Sequence, residues 1–193
     1  MPGSTQRRVT LDSAQLRALA HPLRARLLSA LRAYGPATAT GLARRLQTNT
    51  GATSYHLRRL GAVGLIEEDR ARSTGRERCW RAAHDVTSWS ERNFDADPDD
   101  RAAADWLLGH HVRLTSRWLH DWVETRRDWP PEWRDAADQS DLEFHLTPDG
   151  LRALNADLHA VVERHRAQGV ADAPGAQRCV VILATFPMPA PAL

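Results

Sequence analysis

Apolar positions in the first third of the chain recur at helical spacing and divide it into four short helices followed by a hairpin. Asp12 or Ser13 can cap a first helix running to about Ala20. His21-Pro22 restarts the chain with proline at a first helical position. Leu23, Leu27, Ala30 and Leu31 then form a core-facing stripe on a second helix, which Tyr34-Gly35-Pro36 ends. Thr38 or Thr40 can cap a third helix over residues 41–47, carrying Leu42, Ala43 and Leu46. Thr48-Asn49-Thr50-Gly51 is a tight turn into a fourth helix, residues 49–64, on which two faces separate. Thr53, Leu57 and Leu60 fall together as an inward stripe, while Gly51, Ala52, Tyr55, Arg58, Arg59 and Ala62 fall opposite. Beyond Gly64, two short strand-like runs flank Ser73-Thr74-Gly75 and predict a β-hairpin with a glycine-containing tip. Arg70 and Arg72 share one face of its first strand, Arg76 and Arg78 one face of its second.

The pattern then changes. Residues 86–99 form an acidic linker ending near Pro98, with Trp89 and Phe94 expected to tuck against a neighbour. Residues 100–127 read as a long helix on which Ala103, Trp106, Leu107, Leu114, Trp118, Leu119 and Trp122 recur, with His110 and His111 mid-face. Trp129-Pro130-Pro131-Glu132-Trp133 breaks it. Residues 142–146 alternate apolar and polar and predict a strand. Thr147 then caps a helix with Pro148 first and Asp149 in the opening turn. Leu151, Leu154, Leu158, Val161 and Val162 line that helix, and it fades at Gln168-Gly169. Residues 179–186 read as a buried strand that pairs with 142–146. The expected fold is mainly α with a small β wing (α+β): a winged helix-turn-helix domain followed by a helix-strand-helix-strand extension. The expected divisions are 1–10, a flexible basic arm carrying Arg7 and Arg8; 11–85, the domain; and 86–193, a region for dimerisation and effector sensing.

Charge sharpens that division. Every basic residue is arginine, and the net charge of +2 conceals an asymmetry. Through Asp85 there are 15 arginines against 6 acids, a net +9; from Val86 onward there are 11 against 18, a net −7. A basic head on an acidic body suggests polyanion binding at one end and another task at the other. Two cysteines, Cys79 and Cys179, make no disulfide framework and suggest a reducing compartment. The N-terminus has no signal-like apolar run, and no stretch approaches the roughly 20 apolar residues of a membrane span, so a cytoplasmic protein with no membrane partner is expected.

The outer face of the fourth helix suits DNA. Small residues at its start permit close approach to base edges, and arginine pairs bidentately with guanine or holds phosphate. Two short helices joined by a glycine-containing turn have the spacing of a helix-turn-helix, and an arginine-rich hairpin beside it is placed as a wing to grip backbone. A solvated arginine face and a solvated ribbon are the plain alternatives; Glu67, Glu68 and Asp69 favour the latter at the hairpin's base.

LRALAHPLRARLLSAL, then TATGLARRLQ, then GATSYHLRRLGAVGLIEE and the arginine-rich hairpin resemble an ArsR-type winged helix-turn-helix transcriptional regulator over about residues 11–83. The resemblance implies a homodimer on a palindromic operator, one recognition helix per half-site. By position it implies base reading by Thr50, Ala52, Ser54, Tyr55 and Arg58, with Arg59 and the wing arginines Arg72, Arg76 and Arg78 on phosphate. His56 lies at the helix edge, as a structural hydrogen-bonder or a DNA contact. Thiolate metal sensors of this type carry a cysteine pair on the preceding helix; here Leu42-Ala43-Arg44-Arg45-Leu46 has none.

The tryptophan-rich helix admits three readings: core packing, contact with a twin subunit, or the wall of a small-molecule effector pocket with Trp106, His110, His111, Trp118 and Trp122. Asp157, His159 and Glu163 are a weak metal pattern, because His165 points elsewhere, and no metal or other cofactor is expected. No nucleophile elbow, phosphate loop, H-E-x-x-H or C-x-x-C occurs, so no catalytic residues are assigned and an enzyme is not expected. The reading is a sequence-specific DNA-binding regulator, expected to repress and to be released by a small-molecule effector. The alternatives are a protein-interaction adaptor, a small-molecule sensor with little DNA affinity and a His/Asp-based metal-responsive repressor.

Overall fold

The structure, a computed structural model, describes residues 7–75, 77–169 and 173–189. Local sequence accounts for the first helices. Asp12 caps α1 (Ser13–Leu19): its Oδ1 accepts from the Gln15 N–H at 2.8 Å, and the Gln15 side chain reaches back to the Asp12 N–H. His21 caps α2 (Pro22–Tyr34), with Nδ1 accepting from the Leu23 N–H at 3.1 Å and Pro22 fixing the first turn. Gly35 ends α2 at φ +80°, a conformation that glycine adopts without steric cost. Thr38 caps α3 (Ala39–Arg45), and Asn49 caps α4 (Thr50–Ala62).

These helices close on one leucine core. Leu16, Leu27, Leu57, Leu60 and Leu65 have no exposed surface, and burying each such side chain contributes about 1.5–3 kcal/mol. A three-stranded sheet, β2 (Ala37–Thr38), β4 (Cys79–Ala82) and β3 (Ile66–Glu68) in that spatial order, is antiparallel throughout. The β3–β4 hairpin is the wing, in register Ile66 with Ala82 and Glu68 with Trp80. It is narrower than the sequence predicts, since the ladder stops at Glu68 and resumes only as an isolated bridge between Thr74 and Glu77.

The structure departs from the expected elements near the start of the chain and again in its C-terminal unit. The basic arm is not loose as far as Thr10: β1 (Arg8–Thr10) pairs in parallel with β5 (Val86–Ser88). Arg7 is tied down as well, its N–H donating to Asp85 Oδ2 at 2.9 Å. By contact the chain divides into two compact units, one running to Arg117 and the other beginning at Trp118. Phe94 and the base of the long helix α5 (Pro98–Thr125) therefore belong with the N-terminal core, where Phe94, Ala103, Ala104 and Leu107 are buried.

The other departure lies in the C-terminal unit. Beyond a 3-10 turn (Arg126–Asp128) come α6 (Pro131–Ala136) and α7 (Pro148–Gln168), the latter capped by Thr147 as expected. The strands expected over 142–146 and 179–186 do not form. Leu142 and Phe144 are 82% and 60% exposed, and Val181 is 62% exposed. Alternation of apolar residues describes a two-sided ribbon but supplies no hydrogen-bonding neighbour, and a lone strand has nothing to pair with. The later segment meets α7 instead, where Thr185 and Asn155 side chains are hydrogen-bonded at 2.8 Å.

Candidate nucleic-acid interface

The recognition helix α4 is held by its inner face. Thr53, Leu57 and Leu60 are fully buried, and Thr53 Oγ1 donates to the Asn49 carbonyl at 2.9 Å, satisfying the hydroxyl inside the core. Asn49 Oδ1 accepts the Ala52 N–H at 2.7 Å and fixes the first turn. The sequence's inward stripe is therefore the observed one, and the opposite face must look outward.

That outer face carries Thr50, Tyr55, Arg58 and Arg59 exposed, with Ala52 and Ser54 half-buried beside them. Tyr55 is 55% exposed, unusual for a large aromatic without a packing partner beyond the edge of His56, whose ring centroid lies 5.1 Å away. On the wing, Arg72 and Arg78 are exposed and only loosely paired, with Asp69 and Glu68, both at 3.9 Å. Surface pairs of this length contribute little and are easily exchanged for phosphate. Arg76 lies outside the described residues.

A cavity of about 490 Å³ opens between the C-terminal half of α4 and the sheet. Arg58 from the helix and Arg78 from the wing flank it, Glu67 and Glu68 lie at its edge, and Trp80 and Gly61 meet within it. Helix and wing thus present arginines, with two glutamates, to one shared recess.

One set of neighbours escaped sequence reasoning. The His56 ring stacks obliquely on His21, centroids 4.3 Å apart, joining the recognition helix to the start of α2. Burial holds the pKa of both histidines below the ordinary range; His21 and Arg24 add to this at His56, and Arg24 adds to it at His21. Arg24 itself is lowered by burial and by Arg59, which places two guanidinium groups, from α2 and α4, within each other's field. Arg24 is oriented by the carbonyl groups of Ala18 and Arg17. Nothing in the local spacing of Arg24 singles it out, because only the packing of α2 on α4 brings it to the recognition helix.

The five residues expected to line an effector pocket all lie along α5. Trp106 and His110 stack on each other one turn apart on α5, ring centroids 5.0 Å apart and nearly parallel. Trp122 lines a cavity in the C-terminal unit whose other walls are Arg126, Arg127, Arg134 and residues 137–139. His111 is exposed and Trp118 half-buried on α5. Asp157, His159 and Glu163 lie along α7, and no group of three or more His, Cys, Asp or Glu gathers among the described residues. No helix among those residues is long and apolar enough to cross a membrane.

Residues 19–69 match the family of helix-turn-helix domains. No curated protein matches the chain. Among solved structures, it is similar to an ArsR family transcriptional regulator at 22% identity and TM-score 0.31, covering 53% of this chain and 88% of that one. It is similar to RV1404 from Mycobacterium tuberculosis at 18% identity and TM-score 0.32, covering 78% and 80%. It is likewise similar to a mutant of Lactococcus lactis ZitR in its apo form, at 16% identity and TM-score 0.33, covering 78% and 87%. With α3 and α4 as the paired helices and the β3–β4 hairpin beside them, the N-terminal unit of this chain contains a helix-turn-helix domain with a wing.

Proposed function

We propose that the chain is a sequence-specific DNA-binding regulator that acts as a homodimeric repressor on a palindromic operator in the cytoplasm. The observation that carries this reading is the outer face of α4, where Tyr55, Arg58 and Arg59 stand exposed on a helix whose inner face is locked in the core. Thr50, Ala52, Ser54, Tyr55 and Arg58 would read base edges, while Arg59, Arg72, Arg76 and Arg78 hold phosphates and set register. The excess of 15 arginines over 6 acids through Asp85 supplies the long-range attraction. The acidic remainder repels DNA and so helps to orient the head.

Homodimer formation is supported by the C-terminal helices. From Trp118 onward, no described residue is fully buried, although α7 alone is 21 residues long. On α5, Leu108 and Val112 are exposed four residues apart, as are Leu119 and Val123. Helices with this much uncovered apolar surface gain their stability from a partner. A twin subunit is the partner that a two-half-site operator requires. An effector that changes the angle between the two recognition helices would bias such a dimer between bound and released states.

The test is a pair of substitutions. Arg59→Ala should weaken binding to every duplex alike, whereas Tyr55→Ala should relax discrimination at one base step by about 1–3 kcal/mol. Equal losses on cognate and random DNA for both variants would contradict the assignment of base reading to Tyr55.

A further inference from the structure

We infer that the cavity at the elbow between α5 and α6 binds a small organic anion with a flat apolar body, a carboxylate or phosphate ester carried on an aromatic ring. The cavity measures about 370 Å³, within the range of small-molecule sites. Trp122 forms its apolar wall, and Arg126, Arg127 and Arg134 bring three guanidinium groups to the same space.

Those arginines are out of place by the chain's own charge balance. From Val86 onward acids outnumber arginines by 18 to 11, so a carboxylate partner is the ordinary expectation for any arginine there. Arg152 and Arg166 meet it, pairing with Asp149 and Glu163. Among the described residues, no carboxylate forms an ion pair with Arg126, Arg127 or Arg134. Arg126 donates one N–H to the Val123 carbonyl, which orients it and leaves its other donors unused. The single acid at the cavity, Asp138, accepts from Ser140 Oγ at 2.9 and 3.0 Å and keeps its charge, so it offsets one of the three guanidinium groups. Three guanidinium groups around a single carboxylate leave the cavity with net positive charge, and a bound anion relieves their repulsion while accepting charge-assisted hydrogen bonds.

The elbow is also built to hold its shape. Pro130 and Pro131 fix two successive φ angles between the 3-10 turn and α6. Trp129 and Trp133 pack edge to face, with centroids 6.2 Å apart, and brace the turn. A preorganised site of this kind loses little entropy on binding. The aromatic body is argued from Trp122, whose face suits stacking, and the anionic head from the guanidinium groups. Binding at this site stands independently of the DNA-binding reading.

The experiment is isothermal titration of the full chain with benzoate and with phenyl phosphate, using benzyl alcohol as the uncharged ring and acetate as the ringless anion. Saturable binding of at least one aromatic anion is expected, with benzyl alcohol and acetate each weaker by about tenfold or more. Arg127→Gln with Arg134→Gln should weaken that binding by a further tenfold or so while the circular dichroism spectrum is unchanged. Both side chains are exposed, so the double variant keeps its fold. Trp122→Leu should weaken the aromatic anions and leave acetate unchanged. The proposal is overturned if neither aromatic anion binds saturably, if benzyl alcohol binds as well as benzoate, or if the double arginine variant binds undiminished.

Discussion

Arg17 on α1 bonds through its Nε to the carboxylate of Asp100, which is 5% exposed in the first turn of α5. The same guanidinium reaches Asp97 at 2.9 Å, and Asp97 caps α5 by accepting the N–H groups of Asp99 and Asp100 at 2.8 and 3.1 Å. Arg17, together with Ser13 of the same helix, thus fastens the base of α5 to α1.

Asp100 predicts an acid sensitivity. Hydrogen bonds from Ser13 and Arg17 hold its carboxyl below the ordinary value of 3.8, against the opposing effect of burial. A carboxylate whose folded pKa is depressed stabilises the fold above its unfolded pKa, and the stabilisation is lost as pH falls through the folded value. Asp100→Asn should therefore lower Tm at pH 7 and leave a shallower fall of Tm between pH 5 and pH 2 than the wild-type shows. Parallel Tm–pH curves for the two proteins would contradict the pairing.

The histidine pair makes a second prediction, at milder pH. Burial keeps both His21 and His56 below the ordinary 6.5, and Arg24 adds to this at each. The groups facing His56 are His21, Arg24 and the Tyr55 ring, none of which is an acid that would welcome a proton. Unfolding then takes up protons, so stability is full above about pH 6.5 and declines as pH falls through the folded pKa values. Thermal melts of the wild-type should drop between pH 7 and pH 5, and His56→Leu should flatten that drop. An unchanged slope in the variant would show that the histidines do not titrate with unfolding.

Gly61 tests the seating of the recognition helix on the wing. An alanine in a helix interior ordinarily gains about 1 kcal/mol over glycine. Here a Cβ would meet Trp80 ring carbons at 3.0 and 3.4 Å, so the indole must shift. Gly61→Ala should therefore gain nothing in chemical denaturation and should change the near-ultraviolet signal of Trp80. A full gain of about 1 kcal/mol would mean that helix and wing are less tightly packed than described.

What the sequence made legible follows from the range of the interactions. The stripe Thr53, Leu57 and Leu60 was readable because helical periodicity is local, and it decides at once which side chains of α4 face outward. The caps Asp12, Thr38 and Thr147 were readable for the same reason. The parallel pairing of Arg8–Thr10 with Val86–Ser88 was not, because strands of three residues separated by most of a domain leave no local pattern. Residues 142–146 carried a strand pattern without a partner to realise it. The elbow cavity escaped because its arginines belong to no motif. Only the turn at Pro130-Pro131 brings Arg134 back toward Trp122 and Arg126.

The central claim is that α4 and the wing bind a specific DNA sequence. The measurement that tests it most directly is fluorescence anisotropy of the full chain with a duplex from upstream of its own gene, against a random duplex of equal length, across a salt series. The account predicts binding at least ~10³-fold tighter to the cognate duplex, falling steeply with salt as phosphate contacts release counter-ions. Weak binding of equal strength to both duplexes, or none at low salt, would contradict it.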